Sequence, residues 1–320
     1  MALLEVNNLQ AYFYTLEGPV KAVDDVSFTV EKGEALGLAG ESGCGKTTVA
    51  LSILRLLPFP GKVVGGSVVF DGQDLAKVSD EDIRRYRWKR MSIVFQGAMN
   101  ALNPVFSIGE QISEGMLLHE NVSEDDARQR SEELLRLVGV DKSRYDSYPH
   151  ELSGGMRQRS MIAMALACNP DLVIADEPAT ALDVIVQAQV LKLMQELQKE
   201  LQLSMILITH DLSIIAETCD KVAIMYAGKV AEYCDAVSLF KKPLHPYTRG
   251  LLAAFPDVRA RDAKLSSIPG DPPDLINPPR GCHFHPRCPY RKSPICSEDE
   301  PELREIRMKH YAACHFAGEV

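Results

Sequence analysis

The chain has 320 residues, 46% of them hydrophobic and 25% charged. That is ordinary globular usage, which excludes a disordered, collagen-like or coiled-coil protein and leaves room for a sizeable core plus an appended unit. Its 35 basic against 44 acidic side chains give a net charge of −9, the wrong sign for a surface that must neutralise a phosphate backbone throughout. No run of about 18 apolar residues occurs and the opening MALLEVNNLQ carries no basic leader, so a cytosolic location is expected.

In chain order, Ala11-Tyr12-Phe13-Tyr14 is the first aromatic stretch and has the composition of a strand face. EALGLAG at 34–40 reads as a buried strand that runs into Gly40-Glu41-Ser42-Gly43-Cys44-Gly45-Lys46-Thr47, then Thr48 and the apolar helix VALSILRLL. This is G-x-x-x-x-G-K-[ST] in the strand, loop and helix context that the motif requires. Its glycines let successive backbone N–H groups and the helix N-terminus face phosphates. Lys46 would reach the β and γ oxygens, and the Thr47 hydroxyl can ligate Mg²⁺. Such a loop binds a nucleoside triphosphate, and Cys44 within it reads as a small filler rather than a redox switch.

Arg84-Arg85-Tyr86-Arg87-Trp88-Lys89-Arg90 is the one basic run with interleaved aromatics. In an acidic chain it is read as the solvated face of a surface helix, not as a nucleic-acid site. Gln96 follows in IVFQ, and a helix-rich insert is placed at 98–160. Within it SEDDARQRSEELLRLVGV at 123–140 has Ser123 as N-cap before an acidic first turn. The insert ends on Leu152-Ser153-Gly154-Gly155-Met156-Arg157-Gln158, whose Ser-Gly-Gly before a helix is a second anion-binding element.

LVIADEP at 172–178 is a buried strand ending in two carboxylates, at the edge where ligands of α/β sheets gather. Asp176 would hold Mg²⁺ through water, and Glu177 would be the general base on the attacking water. Ala181-Leu182-Asp183 then precedes a helix at 184–201, and MILITHD at 205–211 is a further strand that carries His210. No internal repeat is present.

The last part, 236–320, turns rich in proline and cysteine and is read as a separate loop-rich unit. Four of the eight cysteines lie there, Cys282, Cys288, Cys296 and Cys314, spaced C-x5-C-x7-C-x17-C. Four thiolates suit a tetrahedral Zn²⁺ or a [4Fe-4S] cube. The gaps are wider than the C-x2-4-C pairs of structural zinc, which favours loops wrapped around the larger cluster, with zinc and free or pairing thiols as the alternatives. His283, His285, His310 and His315 are rival ligands by position, while Cys168, Cys219 and Cys234 read as small buried hydrophobes.

Taken together, the phosphate loop, Gln96, the Leu152 to Gln158 segment, LVIADEP, Asp183 and His210 resemble in order the motifs of ATP-binding-cassette (ABC) proteins. The resemblance implies an α/β P-loop NTPase fold, with a RecA-like core and antiparallel β part at 1–97 and 161–235 and the helical subdomain at 98–160. It also implies a head-to-tail dimer, with self or a paralogue. In it Ser153, Gly154 and Gly155 of one subunit would meet the γ-phosphate held by the other, and Asp183 would lie at the same interface. His210 would contact the γ-phosphate, Gln96 would sense Mg²⁺, and Phe13 or Tyr14 would stack on adenine.

The tail segments His245-Pro246-Tyr247-Thr248, Ile268-Pro269-Gly270 and Gly281-Cys282-His283-Phe284-His285-Pro286-Arg287-Cys288 resemble the C-terminal extension of ATPase subunits of oligopeptide and dipeptide importers. That resemblance also favours iron–sulfur. It implies an ATP-hydrolysing motor on the inner face of the cell membrane, partnered by two membrane-spanning permease subunits and, indirectly, an extracytoplasmic peptide-binding protein. The alternatives are an ATPase of an importer for nickel or another substrate, and a soluble ABC ATPase acting on nucleic acid.

Overall fold

The computed structural model describes residues 2–97, 101–180, 182–254 and 268–319. Two long strands, β1 (Ala2–Thr15) and β2 (Gly18–Glu31), lead to β3 (Ala35–Ala39), buried along its whole length. Helix α1 (Lys46–Ile53) follows the phosphate loop and is shorter than VALSILRLL suggests. Arg55 takes a left-handed φ of 52°, and Pro58 and Pro60 follow, which a helix cannot accommodate. Strands β4 (Gly61–Phe70) and β5 (Gln73–Asp74) come next, then β6 (Met91–Val94).

The insert supplies α2 (Ile108–His119), α3 (Glu124–Leu137) and α4 (Gly154–Leu166). Ser123 caps α3 as expected, accepting from Asp126 N–H, but the helix stops at Leu137 because Gly139 turns left-handed at φ 75°. Strand β7 (Leu172–Asp176), α5 (Val184–Glu200) and β8 (Ser204–Thr209) alternate as read from the sequence. Then come α6 (Leu212–Thr218), β9 (Lys221–Tyr226), β10 (Lys229–Asp235), α7 (Ala236–Lys241), α8 (Pro246–Ala253), α9 (Ile295–Glu298), β11 (Arg304–Arg307) and β12 (His310–Ala312).

The chain divides into two compact units. The first, Glu31–Ala35 with Lys77–Ile208, pairs β7 in parallel with both β6 and β8 and carries α2 to α5. Burial of β7 on both faces is why LVIAD is continuously apolar rather than alternating. The helices close around a buried hydroxyl cluster in which Ser113 Oγ lies 2.9 Å from Ser131 Oγ and 3.1 Å from Tyr145 Oη.

The basic run does not form the expected surface helix. Only Asp82–Arg85 is helical, as a 3₁₀ turn. Trp88 then adopts φ 66°, donates its indole N–H to the Met164 carbonyl at 2.7 Å and packs against Gly115, where a Cβ would come within 2.7 Å of the ring. Anchoring the aromatic inward breaks the helix.

The second unit is Ala2–Val30, Leu36–Ala76 and Thr209–Val320. It holds an antiparallel sheet in the order β2-β1-β4-β5 and a mixed set in which β3 runs parallel to β9 and β9, β10, β12 and β11 follow antiparallel. The boundaries expected at 97/98, 160/161 and 235/236 do not coincide with these units. Helix α4 runs through 160, and β12 hydrogen-bonds to β10, so the tail joins the sheet instead of standing apart. The first of those edges and part of the tail, 255–267, lie outside the described residues.

Candidate functional site: a phosphate loop, a strand-end carboxylate and a four-thiol pocket

In the second unit the phosphate loop wraps its own lysine. Lys46 is buried, and its Nζ donates to the carbonyls of Gly40 at 2.8 Å and Glu41 at 3.0 Å, with Cys44 Sγ at 3.6 Å. Gly40 (φ 149°) and Gly45 (φ 107°) are required. A Cβ on either would stand 2.1 Å from a backbone oxygen, of Met225 and Ala22 respectively. Ser42, Gly43 and Thr47 are exposed at the loop's mouth, and Thr48 turns its carbonyl to the Ser52 hydroxyl. Cys44 is 4% exposed, and burial pushes its thiol upward against the pull of Lys46, which fits a filler.

Of the aromatics in β1, Tyr12 donates to Asp24 at 2.6 Å, Phe13 packs on Gly61, and Tyr14 is half exposed. His210, just after β8, is exposed.

In the first unit, the structure brings Gln96 and Glu177 together. Gln96 Nε2 donates to Glu177 Oε2 at 2.9 Å, and Thr180 Oγ1 donates to the same oxygen at 2.8 Å. Glu177 takes a left-handed φ of 45° and donates its N–H to the Ile208 carbonyl, so the chain turns sharply where β7 ends. A non-glycine residue held there costs on the order of 1–3 kcal/mol, a strain found where a side chain must be aimed. Asp176, one residue earlier, is 2% exposed. Thr180 was not singled out from sequence; its position three residues after Glu177, where a tight turn returns the chain, was the available signal.

Ser153 caps α4, accepting from Met156 N–H at 3.3 Å, and Asp183 caps α5, accepting from Val186 N–H at 3.0 Å. These two caps meet at Val186, whose Cγ1 is 2.7 Å from where a Cβ on Gly155 would sit. Only glycine allows that approach. Gly154 faces Leu182, and Ala181 lies outside the described residues.

In the tail, Cys282, Cys288, Cys296 and Cys314 line one pocket with Pro246 and Phe284, and none is in a disulfide. Burial raises the thiols of Cys282 (to about 12), Cys288 and Cys314, while backbone N–H groups of Phe284, Tyr290 and Phe316 oppose the rise. Lys292 N–H donates to Cys296 Sγ at 3.4 Å. Backbone N–H groups thus reach all four sulfurs.

Of the rival histidines, His310 bonds Glu232 and His283 meets the Ala227 carbonyl, while His285 and His315 line the pocket. Cys168, Cys219 and Cys234 are buried, as expected, and burial raises their thiols, to about 11 for Cys168 and about 12 for Cys219.

Two family models match the chain: "ABC transporter" over residues 23–180 and "Oligopeptide/dipeptide transporter, C-terminal region" over 231–296. Among curated relatives, a probable peptide ABC transporter ATP-binding protein of Sinorhizobium fredii is 48% identical over 99% of this chain and 96% of its own. The dipeptide transport ATP-binding protein DppD of Escherichia coli is 43% identical over 99% and 97%. A solved dimer of the ATP-binding cassette MJ0796 bound to ADP and Pi superposes with TM-score 0.66 at 25% identity, covering 73% of this chain and 98% of that one. With the phosphate loop and the strand-end carboxylates in place, these matches make the chain a member of the ABC transporter family of ATP-binding proteins.

Proposed function

We propose that this chain is the ATP-binding and ATP-hydrolysing subunit of a peptide importer, driving two membrane-spanning permease subunits from the inner face of the membrane. The observation that carries the hydrolytic part is Glu177, aimed by a left-handed turn and held through one oxygen by Gln96 and Thr180. In this reading the Glu177 carboxylate takes the proton of the attacking water. Lys46 would exchange the Gly40 and Glu41 carbonyls for phosphate oxygens, and the loop's N–H groups would receive the remaining charge.

By residue type, the Thr47 hydroxyl and the Gln96 carbonyl would each offer Mg²⁺ an oxygen and the Asp176 carboxylate would hold it through water; the ion would neutralise developing charge on the phosphates. Tyr14, the more exposed of the two candidates, fits the adenine stack. His210 would complete the site at the γ-phosphate.

Two surfaces in the first unit support the partners. Val184 and Ile185, 80% and 72% exposed, flank Asp183 at the start of α5, an apolar pair that a second ATPase subunit would cover together with Ser153, Gly154 and Gly155. Val105, Phe106 and Leu118 are exposed around a groove of the helical insert, where a membrane-spanning subunit would dock. Among the described residues no helix is long and apolar enough to cross a membrane, so translocation needs those subunits.

The four tail thiols would hold a [4Fe-4S] cluster, whose bonds would staple together the loops that carry them. Two measurements test the reading. Phosphate release from the assembled transporter in vesicles should rise when peptide and its binding protein are added; a rise with a nickel chelate instead would move the substrate assignment. About four irons and four sulfides per anaerobically purified chain are expected, and one zinc per chain would overturn the cluster.

A further inference from the structure

The phosphate loop meets the cysteine-bearing tail at a buried point that the hydrolytic reading leaves unused. Glu41 follows the first glycine of the loop, and its carboxylate is gripped by Arg287, with Nη1 to Oε2 at 2.6 Å and Nη2 to Oε1 at 3.0 Å. The Arg287 side chain is only 6% exposed. It is itself fixed, Nε donating to the Pro269 carbonyl at 2.9 Å and Nη1 reaching Tyr226 Oη at 3.4 Å. The backbone of Glu41 is held as well, its N–H donating to Tyr247 Oη at 2.9 Å. That ring is wedged between Tyr226 and Phe284, with centroids 4.6 and 5.3 Å away. Because Lys46 rests on the Gly40 and Glu41 carbonyls, the residue held by the tail also seats the catalytic lysine.

We infer that Arg287 and Tyr247 are positioning residues for nucleotide binding, by which the tail sets both the shape and the charge of the phosphate loop. The inference rests on reading that loop as the ATP site. A carboxylate inside a phosphate loop opposes an incoming polyphosphate by like charge. A bidentate guanidinium cancels that charge and pins the group in one geometry, as an ammonium could not. Arg287 lies in the turn between Cys282 and Cys288, where Cys288 N–H closes on the His285 carbonyl, so order in the thiol pocket passes to the loop through a side chain with fixed ends.

The test is MgATP affinity of the full-length chain by equilibrium dialysis, with the thermal unfolding midpoint followed in parallel. Arg287→Ala should weaken MgATP binding about tenfold, the scale of one lost charge-assisted contact, and Arg287→Lys severalfold. Tyr247→Phe should weaken it about threefold. Adding Glu41→Gln to Arg287→Ala should restore affinity to within about threefold of wild type, because the opposing charge is gone. A merely structural arginine would not be rescued in this way.

If Arg287→Ala yields little folded chain, Arg287→Lys carries the same test. Unchanged affinity in the single variants, or no recovery in the double variant, overturns the inference while leaving the ATPase reading intact. Failure of the wild-type chain to bind MgATP overturns both.

Discussion

Replacing Glu177, the proposed general base, by Gln is expected to separate ATP binding from hydrolysis. Two hydrogen bonds to the side chain end on the same oxygen, from Gln96 at 2.9 Å and Thr180 at 2.8 Å. An amide can place its oxygen there and keep both, so the turn at φ 45° and the strand end should be retained, and the cost in stability should stay below about 1 kcal/mol. The proton acceptor is lost. General-base removal is expected to slow turnover about 10²- to 10⁴-fold, or roughly 3–5 kcal/mol of barrier. The assay is phosphate release at saturating MgATP in the membrane-bound assembly, normalised to nucleotide bound and set beside the unfolding midpoint. Undiminished turnover with normal binding would refute Glu177 as the base. Loss of nucleotide binding together with turnover would refute the argument that the amide preserves the site.

Three further outcomes are expected. Cys288→Ser should lower iron and sulfide per chain and bleach the visible absorption of the anaerobic protein; full cluster content in that variant would exclude Cys288 as a ligand. Glu232 is completely buried and accepts from Leu244 N–H at 2.8 Å, His245 N–H at 2.9 Å and His310 Nε2 at 2.7 Å. Glu232→Ala strands those groups and should cost about 3–5 kcal/mol in denaturant unfolding, so a loss under about 1 kcal/mol would contradict this clasp.

Burial lowers His245 from an ordinary 6.5 to about 4, with nearby Glu232 opposing. Between those values the unfolded chain binds the proton and the folded chain does not. The stabilisation, about 3 kcal/mol, is therefore present above pH 6.5 and lost as pH falls toward 4. His245→Asn keeps a capping side chain for Tyr247 N–H and removes the titration, so its unfolding midpoint should fall less steeply over that window; parallel curves would refute the assignment.

What the sequence by itself determined was everything encoded within a few residues. The phosphate loop is legible because backbone N–H groups do the binding, and only glycine at Gly40 and Gly45 leaves them room. Asp176 and Glu177 are legible because a buried strand must end before it can show carboxylates, and Ser123 because it caps a helix by accepting from the N–H three residues on. The four tail cysteines were countable, and they line one pocket.

Only the tertiary structure decided the rest. The basic run bends because Trp88 finds a partner 76 residues away, and the tail enters the sheet because β12 completes the edge of β10. Glu41 and Arg287 are separated by 246 positions, and Glu232 and His310 by 78. A pair of polar side chains so far apart in sequence carries no periodicity and leaves no local mark. It exists only once folding removes both groups from water and leaves each as the other's compensation.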